Sequence, residues 1–254
     1  MSVTGILSVV AAVLVAAGPA YEPTTNYEVQ SIEGWTVYVN RRLLTTEREI
    51  GRQVLRLLRV KLYDINRVVP PAALAELHKV PIWVEYEDRG FPCACYHPSR
   101  RWLAEHGYNP DKAGAVEIAN AKRFLAWTIN QPWMVLHELA HAYHHRVLGH
   151  DHAGIRAAYE RAKNSGSYES VLNYRGRRVR AYALRNSQEY FAELSEAFFG
   201  TNDFYPFVRA EIIEHDPQMY RLLERLWKVR QAGQPQPRPA GNGPRRKRTA
   251  PAGS

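Results

Sequence analysis

Hydrophobic and polar positions change period several times along this chain, and each change marks an element. Residues 34–44, GWTVYVNRRLL, alternate as a half-buried strand does. Residues 47–69 switch to a helical period, with Ile50, Val54, Leu57, Leu58 and Leu62 on one face. A second helix is expected over 70–80, where PPAALAELHKV places proline at a first helical turn that accepts it. PIWVEYED (81–88) reads as a strand, and 91–114 as a long loop holding a short helix. AVEIANAKRFLAW (115–127) is expected to form a strand pair or an edge strand, and GAVEIANAK is the candidate edge for pairing with an extended peptide.

The second half is helical in pattern. One helix is expected from Gln131-Pro132-Trp133 to Gly149, a polar one over 154–166, an amphipathic one over 187–200 closed by Gly200, and a last one over 217–229. Between them, 168–185 reads as a hairpin turning at Arg175-Gly176. A few strands followed mostly by helices, with no internal repeat, imply an α+β domain.

The two ends stand outside this pattern. From Gly5, GILSVVAAVLVAAGPA has the length of a signal-peptide core, and Gly18-Pro19-Ala20 before Tyr21 fits a small-x-small cleavage site. The preceding MSVTG has no Lys or Arg, and the run is shorter than the roughly 20 apolar residues of a membrane span. The expectation is a signal peptide over 1–20 and a secreted or periplasmic protein. An uncleaved N-terminal anchor and a buried helix are the alternatives. The folded domain then covers 21–230. The remaining 231–254 contain Arg238, Arg245, Arg246, Lys247 and Arg248, no acidic residue and much Pro and Gly, the composition of a disordered tail. Net charge is +9, and most of the excess belongs to those five residues, so the folded part carries an ordinary balance.

Composition adds little beyond this, except for cysteine. Cys93 and Cys95 are the only two, too few for a zinc knuckle. A bond between them would close too small a loop to stabilise much. They are read as structural, paired or free.

The chemistry is concentrated in 134–145, MVLHELAHAYHH, which holds four of the chain's ten histidines. His137-Glu138-Leu139-Ala140-His141 is an H-E-x-x-H pattern. Residues four apart share a helix face, so His137 and His141 can present ring nitrogens to one zinc ion. Glu138 lies one step round, placed to take a proton from a water that the metal acidifies. A third ligand is required. The continuation H-x-x-G-x-x-H fails, because His144 stands where glycine is needed and Val147 where histidine is needed. His144, His145, His150 and His152 are read as solvated or supporting groups. The better candidate lies in NSQEYFAELSEAFFG, where Glu189, Glu193 and Glu196 form an i, i+4, i+7 stripe beside aromatic residues. Such a stripe costs desolvation energy unless a cation meets it. For Glu189 the alternative is a capping box with Asn186.

H-E-x-x-H followed by a glutamate from a second helix resembles the gluzincin plan. YALRNSQEYFAELSEAFF in particular is similar to the matching segment of the anthrax lethal factor catalytic domain family. The resemblance covers roughly Trp133 to Trp227 and implies a zincin-like metallopeptidase domain with a small mixed sheet and an active-site helix. It implies Zn2+ as cofactor, Glu189 as third ligand, Glu193 as a supporting carboxylate and Tyr182 as a catalytic tyrosine. A phenol there can donate to a developing oxyanion.

The expected function is zinc-dependent hydrolysis of peptide bonds with Glu138 as general base. Its alternatives are a non-catalytic zinc-binding secreted interaction protein and a basic binder acting through its tail. The expected partner is a peptide or protein substrate of a monomer. No specific nucleic acid is implied, and a membrane only if the N-terminal segment stays uncleaved.

Overall fold

A computed structural model describes residues 21–87, 90–91 and 93–229. The expected signal segment and the basic tail lie outside the described residues. Strands β1 (Tyr27–Ile32) and β2 (Trp35–Asn40) form an antiparallel hairpin joined by Glu33 and Gly34. Both turn residues have positive φ, +52° and +97°, the conformation that fits a two-residue hairpin turn. The alternation beginning at Gly34 ends at Asn40, whose side chain accepts from the Arg42 N–H and so caps the short helix α1 (Arg41–Leu44). Helix α2 (Arg48–Val68) follows, burying Val54, Leu58, Leu62 and Ile65, and then α3 (Pro71–Leu77) with its N-terminal proline.

Strand β3 (Ile82–Val84) pairs in parallel with β2. The segment expected as a loop, 91–114, contains a strand as well as a helix: β4 (Ala94–Tyr96) precedes α4 (Arg100–Glu105). Strand β5 (Val116–Ile118) lies between β3 and β4, giving the order β1-β2-β3-β5-β4. GAVEIANAK is therefore interior, and β4 is a terminal strand, with β1 at the opposite edge. The expectation failed because β4 is only three residues long, with no hydrophobic alternation to betray it. After β5 the chain enters α5 (Ala121–Trp127), capped by Asn120.

The sheet's two faces differ. Val37, Val39, Ile82, Val84, Val116 and Ile118 point into the main core. Their alternating neighbours face the other way, where Tyr27, Tyr38 and Trp83 cluster. Beside them lies a buried ionic network: Lys112 Nζ sits 2.7 Å from Glu85 and 2.6 Å from Glu117, whose second oxygen meets His97 at 2.5 Å.

The helical half packs on the core face. Helix α6 (Met134–Tyr143) buries Leu136, Leu139, Ala140 and Tyr143 and runs into a π-helical turn over His144–Gly149. Then come α7 (Ala153–Ser165), the short hairpin β6 (Val171–Leu172) and β7 (Arg178–Val179), and α8 (Ser187–Phe199). Helix α9 (Arg209–His215), which no sequence pattern announced, leads to α10 (Pro217–Leu226). The result is mixed α and β with a small mixed sheet. Among the described residues no helix is long and apolar enough to cross a membrane.

Two devices fix α6 against α8. Trp227 stacks on Tyr143 at 4.4 Å and on Phe191 at 5.7 Å, and its indole N–H donates to Ser195 Oγ at 3.0 Å. At the other end, Gly200 closes α8 directly over Trp133, the residue preceding α6. A Cβ at Gly200 would fall 1.8 Å from the Trp133 ring, so only glycine allows this approach.

Candidate metal centre

Because α6 and α8 are held side by side, the residues singled out in the sequence come together. His137 and His141 project from α6, one turn apart. Asn186 caps α8 by accepting from the Glu189 N–H at 2.8 Å. The Glu189 carboxylate does not reach back to complete a capping box, but turns toward the two imidazoles. Its Oε2 lies 3.1 Å from His137 Nε2 and 3.3 Å from His141 Nε2, and the two ring nitrogens are 3.1 Å apart.

This triangle fits a zinc ion. Bonds of about 2.0–2.1 Å directed to the corners of a tetrahedron separate the donors by about 3.3–3.4 Å. The three observed edges lie within a few tenths of an ångström of that. Two imidazoles and a carboxylate are also the donors zinc takes. A second acidic grouping, His137 with Glu193 and Glu196, lies on the other nitrogen of the same ring. There Glu196 Oε1 stands 2.7 Å from His137 Nδ1, a hydrogen bond rather than the spacing of two ligands. A third grouping, Cys95, His97 and Glu117, lies in the buried ionic network of the sheet. Its 2.5 Å contact between His97 and Glu117 is likewise too close for two zinc ligands.

Both Glu193, expected as the supporting carboxylate, and Glu196 stand behind His137. Glu193 Oε1 is 3.6 Å from His137 Nδ1, outside hydrogen-bond reach, and Glu196 takes the contact. Both glutamates are buried on the same side of α8, and the rotation of α8 against α6 decides between them. Burial raises both carboxyls, and the charge of Glu196 lifts Glu193 further, well above the carboxylate range. Glu196, not Glu193, accepts the hydrogen bond from His137.

The electrostatics point the same way. Burial alone would push the His137 imidazole down, but its hydrogen bonds to Glu189 and Glu196 and the charges of Glu196 and Glu138 hold it well above normal. Burial would raise the Glu189 carboxyl, yet the bonds from His137 and His141 bring it far below its usual range. A carboxylate this acidic between two imidazoles is a place for positive charge, supplied by a proton or by a metal that displaces it.

Glu138 borders a hollow of about 390 Å3 shared with His137, Tyr182, Met134, Trp127 and Phe204. Tyr182 lies on a 3-10 turn after the hairpin rather than in a strand. Its hydroxyl is 3.4 Å from Glu189 Oε1 and accepts a hydrogen bond from Arg185 at 2.6 Å. Burial and the Glu189 charge raise its pKa, so the phenol keeps its proton and can donate it as a hydrogen bond. Sequence reasoning missed Arg185, which carries no motif.

The remaining histidines are not ligands of this triad. His152 caps α7, its Nδ1 accepting from the Ile155 N–H at 3.3 Å. His144, expected to be solvated or supporting, is buried with neither ring nitrogen partnered. Cys93 is buried and its thiol is pushed up to about 12 by burial and the Glu138 charge, while Cys95 Sγ lies 3.4 Å from His97 Nε2.

Compared with known proteins, the chain matches no family model, no curated protein and no solved structure.

Proposed function

We propose that this chain is a zinc-dependent metallopeptidase with a zincin-like domain built on the gluzincin plan, related in its site to the lethal factor family. His137, His141 and Glu189 hold the metal. The carrying observation is the donor triangle, with all three edges between 3.1 and 3.3 Å, bordered by a carboxylate and a phenol that take no part in it.

Bound there, zinc supplies a water of lowered pKa and polarises the scissile carbonyl. The chain's own groups do the rest. Glu138, on the open side of α6, accepts the proton of the attacking water and delivers it to the leaving amine nitrogen. Tyr182, held by Arg185, donates a hydrogen bond to the oxygen that becomes negative as the carbonyl is attacked. Glu196 accepts from His137 Nδ1–H and so leaves Nε2 free to face the metal. The substrate strand runs along β4, the terminal strand packed beside α6, as extended peptides add to sheet edges. Export fits the expected signal segment, with mature protein beginning near Tyr21.

The test is cleavage of a mixed peptide library by purified protein, with and without chelator, alongside Glu138→Gln. Cleavage that chelator abolishes and zinc restores is expected. In the variant it should fall by about two or more orders of magnitude with zinc content unchanged. Full zinc content without cleavage by the wild type would instead support the non-catalytic zinc-binding alternative.

A further inference from the structure

A second hollow lies on the far side of the same three donors. It has a volume of about 210 Å3 and is lined by Tyr96, Pro98, His141, His144, His145, His150 and Gln188. Its walls include one of the donor residues, His141, and the neighbour of another, Gln188. The hollow bordered by Glu138 shares His137 instead. Strand β4 contributes to both, Ala94 to one and Tyr96 to the other. The two hollows thus flank the donor triangle along the strand.

We infer that this histidine-lined hollow is a side-chain subsite next to the scissile bond and that it selects aspartate or glutamate there; the inference rests on the peptidase reading.

The first ground is an orphaned group. His144 is 2% exposed, and neither of its ring nitrogens has a partner. A neutral imidazole has one N–H to donate and one lone pair to fill, and leaving them buried and unpaired is costly. Burial, helped by the surrounding histidines, holds His144 down at about 4, so it meets a ligand as a neutral donor. Its neighbours do not satisfy it. His145 Nδ1 is engaged by the Tyr96 hydroxyl at 2.8 Å, and the His150 ring is centred 6.5 Å from that of His144. His144 and the exposed His150 are left to meet whatever enters.

The second ground is charge. None of the lining residues is acidic. The hollow on the other side contains Glu138, Glu193, Glu196 and Asp203. A cationic side chain is drawn to that carboxylate-rich side and finds no carboxylate to pair with here. A carboxylate here accepts N–H bonds from His144 and His150, and a charge-assisted bond is about twice as strong as a neutral one. The volume admits a glutamate side chain with its methylenes packed on the Tyr96 ring and Pro98.

The experiment uses the full-length, zinc-loaded protein. Cleavage sites in a mixed peptide library should show Asp and Glu enriched, and Lys and Arg depleted, at one position beside the cut. In His144→Leu and in His150→Ala, kcat/KM for the acidic peptide should fall roughly tenfold to a hundredfold relative to its Gln twin. Zinc content should stay at the wild-type level. Cleavage without acidic preference, or a preference untouched in both variants, overturns the subsite. A library left intact strikes at the peptidase reading instead, and a binding arm then decides the subsite. Titration with acetyl-glutamate methylamide should shift the ring signals of His144 and His150 in NMR spectra, whereas the lysine analogue should not. No shift with the glutamate compound overturns the subsite whether or not any peptide is cut.

Discussion

His137 Nδ1 lies 2.7 Å from Glu196 Oε1, and this contact decides which ring nitrogen faces Glu189. With Nδ1–H donated to Glu196, Nε2 is left to join His141 and Glu189 in the donor triangle. The carboxylate hydrogen-bonded behind the histidine is Glu196, three residues beyond Glu193, which stands 3.6 Å from the same nitrogen.

Glu196→Ala is therefore expected to weaken zinc binding by about 10- to 100-fold, the usual cost of losing the group that orients a ligating histidine. Glu193→Ala should cost distinctly less, since Glu193 makes no hydrogen bond to the ring. Competition with a chromophoric chelator ranks the two variants.

Tyr182→Phe removes one oxygen that touches Glu189 and Arg185 at the surface of the site. Thermal stability should barely change, because Tyr182 is 37% exposed and its ring stays. Loss of an oxyanion donor costs about 100- to 1,000-fold in kcat. Steady-state kinetics on a cleaved peptide, with KM close to wild type, is the check.

The ionic network beneath the sheet makes a separate forecast. Burial alone would lower the Lys112 ammonium, but the charges of Glu117 and Glu85 outweigh it and hold the group above its ordinary value. Because the folded pKa is the higher one, this contribution is fully present below the unfolded value of about 10.4 and is lost as pH rises through the folded one. Glu117 has the opposite dependence. Burial would raise it, but the His97 hydrogen bond and Lys112 bring it down, so its contribution is present above about pH 4.3 and lost in more acidic solution. Glu85, raised by burial, partly cancels that acid limb. Lys112→Met should destabilise the fold by about 3–5 kcal/mol at neutral pH, as breaking a buried ion pair does. Urea unfolding between pH 6 and 11 should show the alkaline loss in wild type and a flatter curve in the variant, on the linkage argument above.

The parts of this molecule that the sequence made legible are those carried by periodicity. His137 and His141 at four-residue spacing on an apolar helix need no tertiary information to share a face. Glu189 declared itself through a carboxylate stripe set among Tyr190, Phe191 and Leu194. Long helices such as α2 and α8 were equally plain, because an amphipathic pattern repeats over several turns. Strand β4 and helix α9 were not, since three residues of ACY and the seven of RAEIIEH are too short for a pattern to accumulate. The choice between Glu193 and Glu196 was hidden for another reason. Both lie on one side of α8, and only the packing of Trp227 and Gly200 fixes the rotation that selects Glu196. The burial of His144 was hidden because it depends on Phe191 of α8 packing against its ring, a tertiary contact that no local pattern announces.

The central claim is that one zinc ion sits on His137, His141 and Glu189. Zinc-edge X-ray absorption of protein loaded with a single equivalent tests it most directly. A first shell of nitrogen and oxygen alone at about 2.0–2.1 Å is expected, with the outer-shell scattering of two imidazoles. In Glu189→Ala that spectrum should be lost together with most of the bound metal. A sulfur scatterer at about 2.3 Å would place the metal at Cys95 beside His97 and Glu117 and contradict the account. So would a spectrum and metal content unchanged in Glu189→Ala.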